Sequence, residues 1–369
     1  MQLPESTDVF VIGGGPAGLA AAIAARRRGL SVTVADPERP PVDKACGEGI
    51  MPDGLAAARE LGIELEAEGQ PFQGIRFCQG KDAVKADFPL GRGFGIRRTH
   101  LHGILIEHAE CAGVRLAWGT RVTSIGERRV FTVAGATEAQ WIVGADGGNS
   151  AVRTWAGLNA SGRDRRRFGF RRHYPVAPWS PYMELHWGED CQLYITPTGA
   201  REICVVVISG NSRLRLDQAL ARFPAVAERL GGVSPSTPER GSLSVSRRLD
   251  RVARGRVALI GDASGSVDAI TGEGICLLFQ QAQALAGALL EGNLALYEVR
   301  HREIGRRPAR MAALMLLLDR HARLRRRTIR ALSAHPALFS RLLSMHVEEN
   351  SLVPYFLNTL SLGWRLLTL

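Results

Sequence analysis

The sequence predicts an α/β fold: a Rossmann-like, nucleotide-binding parallel sheet assembled from separated pieces, an inserted and mostly antiparallel β-sheet substrate domain, and a C-terminal helical tail. Three observations predict it. The chain opens with a β-α-β unit around a glycine turn, its middle is a series of short strand-like runs broken by proline and glycine, and from Gly272 onward the pattern is almost entirely helical. The expected pieces are 1–66, 96–157 and 250–292 for the nucleotide-binding domain, 67–95 and 158–249 for the substrate domain, and 293–369 for the tail.

The first unit runs from the apolar Asp8 to Ile12 through a glycine cluster, an alanine-rich stretch from Pro16 to Arg28 and a β-branched run, Ser31 to Ala35. Pro52 to Leu61 and His100 to Ala112 have helical periodicity, whereas Val114 to Trp118, Val130 to Val133 and Gln140 to Val143 read as strands. The middle layer is expected from Met183 to Trp187, Gln192 to Thr196 and Glu202 to Ser209, with Tyr174, Trp179, Tyr182, Trp187 and Tyr194 forming an aromatic wall. Val257 to Ile260 is a further buried strand.

A chain of 369 residues with 45% hydrophobic content has material for a large core and about two domains. It shows no run of roughly 18 apolar residues and no basic-then-apolar leader at Met1 to Thr7, so a cytoplasmic location is expected. The six cysteines are scattered without a C-x-x-C pair, and the nine histidines fall in no ligand spacing; reduced thiols and no metal site are expected. His100 and His102 lie two apart on a helix and face different directions, and neither Ser150 nor Ser264 has a matched base in the sequence. The net charge of +11 comes from arginine, much of it between Arg300 and Arg330, since lysine occurs only at positions 44, 81 and 85.

The chemistry is carried by three turns. In Gly13-Gly14-Gly15-Pro16-Ala17-Gly18 the first glycine permits a tight turn, Gly15 lets the backbone approach a pyrophosphate, and Gly18 allows close helix-strand packing. The phosphate is then expected at the helix N-terminus, where unpaired N–H groups and the helix dipole favour an anion. Asp36 ends the second strand and can accept from ribose hydroxyls. The second turn is Gly144-Ala145-Asp146-Gly147, followed by Ser150 and Arg153; the third is Gly261-Asp262-Ala263-Ser264-Gly265, followed by Thr271-Gly272-Glu273-Gly274-Ile275.

The second and third turns, each alone, are compatible with an ordinary strand end, whereas the first, in register with its strands, helix and Asp36, reads as dinucleotide-binding. Together, in this order and spacing, they resemble the FAD-binding set of the p-hydroxybenzoate hydroxylase and geranylgeranyl reductase superfamily, over most of Asp8 to Leu290. The resemblance implies that FAD is the cofactor, its adenosine diphosphate half on Gly13, Gly15, Pro16, Ala17, Gly18 and Asp36. It implies Asp146 and Gly147 on the pyrophosphate side, Gly261 and Asp262 at the ribityl chain, and Arg98 as a FAD contact. Gly272, Glu273, Gly274 and Ile275 would open a helix aimed at the flavin pyrimidine ring, where a positive helix end stabilises negative charge. Lys44, Cys46, Gly47 and Glu48 belong to a loop that lines flavin and substrate in the reductase-like members, which makes Cys46 and Glu48 the candidate catalytic residues.

Only one complete dinucleotide fingerprint is present, because Gly91-Arg92-Gly93-Phe94-Gly95 does not follow a strand and open a helix. NAD(P)H is therefore expected as a transient electron donor rather than a resident. Two chemistries follow from the resemblance: NAD(P)H-driven monooxygenation of a lipophilic aromatic, polyketide or isoprenoid-type molecule of secondary metabolism, and reduction of C=C bonds. Ala263-Ser264-Gly265 followed by Thr271-Gly272-Glu273-Gly274 is more similar to the reductase branch, whereas hydroxylases are the more numerous members and no reductase proton donor stands out, so the reading leans slightly to the first and leaves the second open; halogenation is a third, without the Trp-x-Trp-x-Ile motif of tryptophan halogenases.

The arginine-rich helices after Arg300 carry interleaved leucines and methionines. They are expected either to close a lipophilic pocket or to touch a membrane surface peripherally; no nucleic-acid module accompanies them.

Overall fold

The structure is a computed structural model that describes residues 3–159 and 164–347. Two large sheets lie at its centre. In the first, the strands Ala253–Arg254, Val257–Leu259, Gly135–Gly144, Ser6–Ile12, Val32–Asp36 and Arg115–Trp118 follow one another across the sheet, with the hairpin Val122–Ile125 and Arg129–Thr132 attached to Gly135–Gly144. Ser6–Ile12 pairs in parallel with strands on both sides, which explains its unbroken apolar run Val9 to Ile12: both faces are covered. Helix Pro16–Arg26 packs against the sheet, and Arg98–Cys111 and Gly274–Leu290 pack against that helix; the alanines buried on Pro16–Arg26 and Gly274–Leu290 allow close approach.

The second sheet has seven strands, ordered Arg240–Ser246, Arg165–Tyr174, Glu202–Ser209, Cys191–Gly199, Tyr182–Trp187, Gly74–Gln79 and Asp82–Asp87. Its pairs are antiparallel except Tyr182–Trp187 with Gly74–Gln79, where distant segments meet in parallel. Gly91 to Gly95 is no nucleotide turn: Gly93–Gly95 is the central strand of a small sheet with Gly49–Ile50 and Gln70–Phe72.

Strand alternation corrects the expected aromatic wall. Trp187 and Tyr194 join the main core, whereas Tyr174 and Trp179 pack on a separate cluster around Phe170 and Phe223. Tyr182 donates to Asp87 at 2.6 Å. A strand sends successive side chains to opposite faces, so only part of the aromatic set reaches any one surface.

The tail is formed by helices Leu294–Arg320, Ala322–Ala334 and Pro336–Val347. Tyr297 donates to the carbonyl of Leu259 at 2.8 Å and ties the first of them to the parallel sheet. Farther along, Arg167 of the second sheet reaches Asp268 at 3.0 Å, Asp319 at 2.7 Å and Gln192 at 2.6 Å. One buried guanidinium therefore joins the second sheet, the segment before Gly272 and the long tail helix. No helix among the described residues is long and apolar enough to cross a membrane.

Candidate active site

The first glycine turn is held on all sides. Gly13 donates to the Ala35 carbonyl at 2.9 Å, and Gly14 donates to Asp36 Oδ2 at 2.7 Å while Glu38 donates to Oδ1 at 2.8 Å. Gly13 has φ +112° and a Cβ there would lie 2.4 Å from the Ala145 oxygen; at Gly18 it would lie 1.9 Å from the Gly13 oxygen. These two glycines are required by packing. Gly15 is different: the nearest atom to a Cβ there is Arg98 Nη2 at 4.0 Å. Space above Gly15 lies at the N-terminus of the helix that starts at Pro16, and Ala17 packs back against Gly261.

Arg98, the first residue of its helix, faces this space. Its guanidinium is buried, and its Nη1 has no hydrogen-bond partner among the described residues. Burial lowers its pKa, as expected for a cation with an unmet demand for an anion. An orphaned buried donor beside an open glycine turn and a helix N-terminus fits a pyrophosphate group.

The sequence reading missed the residues that brace this turn. His102 Nε2 lies 2.8 Å from the Gly14 carbonyl, so that nitrogen carries the proton. Burial lowers the His102 pKa and keeps the ring neutral. Trp118 stacks edge-on against His102 at 5.9 Å and would meet any side chain at Gly14. The alternation of the helix turns His102 inward and leaves His100 paired with Glu68 on the surface.

The second and third turns are locked together. Asp146 accepts from Ser150 Oγ at 2.5 Å and from the amides of Ala151 and Val152 at 2.7 and 3.1 Å, so its carboxylate caps helix Ala151–Trp155. Arg153 then donates to the carbonyls of Gly148 and Ala263. Gly261 donates to Gln281 Oε1 at 2.9 Å. Ser264 does have an imidazole beside it, His301 at 2.8 Å, but its hydroxyl already donates to the Gly261 carbonyl. The serine therefore accepts from His301, and the pair orders the turn without providing a base.

Asp262 stays half-exposed and meets Lys44 Nζ at 3.2 Å. Gly47, Gly147, Gly272 and Gly274 each face open space, with nothing within 4 Å of an added Cβ. Glu273 precedes helix Gly274–Leu290, and Ile275 is buried in its first turn. Among the predicted cofactor residues, Gly15 thus lies beside Arg98 and Lys44 beside Asp262, and Gly272 and Gly274 flank an open turn before the Gly274–Leu290 helix.

Glu48 stands in the loop with φ +60° and is buried. Its Oε1 accepts from the Arg98 amide at 2.9 Å, and its Oε2 lies 2.6 Å from His173 Nε2. Arg171 Nη1 sits 2.9 Å from His173 Nδ1; a guanidinium can only donate, so the imidazole proton is on Nε2 and points at Glu48. Arg171 also pairs with Asp43. The structure thereby places Glu48 as a strut between the loop, the Arg98 helix and the second sheet. Cys204 lies near this pair, but the proton between His173 and Glu48 and the guanidinium 3.9 Å from Glu48 already occupy the donor atoms a cation would need. Glu184, near Cys78, is likewise satisfied by Arg76, Trp179 and His186.

Cys46 is a free thiol whose Sγ accepts from the Glu48 amide at 3.4 Å. Burial, reinforced by the neighbouring Glu48 carboxylate, raises its pKa and holds it as a neutral thiol. Beyond Glu48 the loop leads to Met51, which lines a cavity of about 200 Å³ between the second sheet and the tail helices. Ile75, Phe77, Met183 and Leu185 form the sheet side; Met315, Leu318 and Ile329 belong to the helix side. Ile270 and Thr271 close it next to Gly272, where Tyr194 donates to the Ile270 carbonyl at 2.7 Å. Through Met51 and Thr271 the cavity therefore reaches the residues that follow the Glu48 loop and precede Gly272.

The FAD binding domain profile matches residues 6–221. The chain belongs to that family. It is a flavoprotein oxidoreductase with FAD as cofactor, similar to the p-hydroxybenzoate hydroxylase-like enzymes. It is 29% identical to menaquinone reductase of Mycobacterium tuberculosis over 324 residues, covering 80% of this chain and 79% of that protein. It is 30% identical to a putative 2-heptyl-3-hydroxy-4(1H)-quinolone synthase of Rhodococcus erythropolis, covering 76% and 78%. Among solved structures, a flavoprotein/dehydrogenase from Cytophaga hutchinsonii superposes with a TM-score of 0.79 at 19% identity, covering 94% and 93%, and a flavin-dependent halogenase, CmlS, with 0.72 at 18%, covering 82% and 62%. These structural matches speak to the fold.

Proposed function

We propose that this flavoprotein uses NAD(P)H as electron donor and reduces a C=C bond in a lipophilic molecule of isoprenoid or quinone type. The observation that carries the reading is the apolar cavity whose lining includes Met51, just after the Glu48 loop, and Thr271, just before Gly272. Its lining of leucine, isoleucine, methionine and aromatic side chains suits an alkyl or prenyl chain and offers no charged partner to a polar substrate. FAD, when bound, supplies the hydride equivalent. The residues supply position and a proton: Arg98 and the Gly15 turn anchor the phosphates, the Glu48 strut fixes the loop, and Cys46, two residues before Glu48 in that loop, holds a proton at Sγ. Similarity to menaquinone reductases of Mycobacterium tuberculosis and Mycolicibacterium smegmatis supports the reductive direction.

Exchange of Cys46 for alanine tests that assignment. With FAD retained, reduction of the enzyme by NAD(P)H should be unchanged, whereas transfer to substrate should slow by roughly a hundredfold, the lower range for loss of a positioned acid. Transfer at the original rate in Cys46→Ala would remove the thiol from the reading.

Monooxygenation is the second reading. It is favoured by similarity to a putative FAD-dependent monooxygenase of Bacillus subtilis and to FAD-dependent urate hydroxylases of Klebsiella, each over about three quarters of this chain.

A further inference from the structure

The exposed face of the long tail helix has a composition that the redox site does not explain. Along Leu294–Arg320, the solvent-facing positions Leu296, Val299, Arg302, Arg306, Arg310, Ala313, Leu317 and Arg320 are spaced three and four apart and form one continuous stripe. At the helical rise this stripe is about 36 Å long. Leu296, Val299 and Leu317 are 42%, 50% and 45% exposed, an arrangement that costs hydration unless something apolar covers it. The next helix adds exposed Arg323, Arg326 and Arg327. Between Arg300 and Arg341 the only acids are Glu303, which pairs with Arg300, and Asp319, which turns inward to Arg167.

Leu317 links this face to the interior, because it is exposed and also lines the cavity. Leu317 therefore brings the cavity lining and the arginine-bearing face together. We propose that this face docks on an anionic lipid bilayer surface, with the arginines at the headgroups and Leu296, Val299 and Leu317 at the acyl boundary. Charge complementarity selects anionic lipid, and the leucine and valine in the same stripe select a bilayer over a nucleic acid, whose phosphates would have no use for them. Docking so oriented gives a membrane-dissolved substrate a path into the cavity without crossing water. The inference concerns delivery and holds whichever reaction the flavin site performs.

The test uses FAD-loaded full-length protein and vesicles of phosphatidylcholine with or without phosphatidylglycerol, read by co-sedimentation without turnover. Binding is expected to the anionic vesicles and to weaken with salt. The combined R302Q, R306Q and R320Q variant should bind roughly a hundredfold more weakly. L296S with V299S, which leaves every charge in place, should still lose roughly tenfold. FAD content and melting temperature should not change in either variant. Equal recovery with neutral and anionic vesicles would overturn the proposal. So would a serine pair that binds vesicles undiminished, or retention on duplex DNA at salt concentrations that strip the protein from anionic vesicles.

Discussion

A methyl group at Gly13 would stand 2.4 Å from the Ala145 oxygen on a backbone at φ +112°, whereas one at Gly15 would point into open space near Arg98. The two alanine variants should therefore separate stability from binding. Gly13→Ala is expected to cost about 2–4 kcal/mol and to lower the melting temperature of the protein with or without FAD. Gly15→Ala should leave the FAD-free protein unaffected and weaken FAD binding at least about tenfold by standing where the cofactor must approach. Equal destabilisation in both would remove the distinction. These glycines were legible because the spacing itself encodes tight turn and close approach. His102, Glu48's partners and His301 were not, since each meets its partner across 37 to 125 residues of sequence.

His301 makes a pH-dependent prediction. Burial depresses its pKa from 6.5 to about 4, with the positive Arg302 adding to the effect. The unfolded chain takes up that proton first, so the contribution of the neutral ring is complete above pH 6.5 and disappears as pH falls toward about 4. It amounts to at most about 3 kcal/mol. In His301→Gln the deficit in melting temperature should be largest above pH 6.5 and should shrink through this window; a deficit independent of pH would contradict the assignment.

At the scale of elements, the sequence revealed the β-α-β unit, the middle strands and the helical tail because period and punctuation are local. It did not reveal how the tail attaches. Arg167, Asp268 and Asp319 are separated by 101 and 51 positions yet form one buried ion group. Arg167→Ala would leave two carboxylates in or near the interior without their cation, at a cost of about 3–5 kcal/mol. Amide exchange should rise first in Leu294–Arg320 and in the segment before Gly272. Uniform loss of protection across both sheets would show instead that the guanidinium holds the whole fold rather than this junction.

For the whole molecule, the sequence made FAD legible and left the chemistry divided, because oxygen insertion and C=C reduction use the same cofactor scaffold. Its lean toward oxygenation came from the resemblance; the protonated Cys46 and the apolar cavity support reduction, and the cavity exists only once the second sheet and the tail helices meet. The most direct measurement supplies NAD(P)H and a prenylated quinone to the FAD-loaded enzyme, in deuterated water without oxygen and in parallel under labelled dioxygen. A product that keeps two added hydrogens on a side-chain carbon–carbon bond after its ring is reoxidised to the quinone, formed anaerobically and free of labelled oxygen, is predicted. A product that forms only in air and carries one labelled oxygen atom would contradict reduction and establish the enzyme as a monooxygenase.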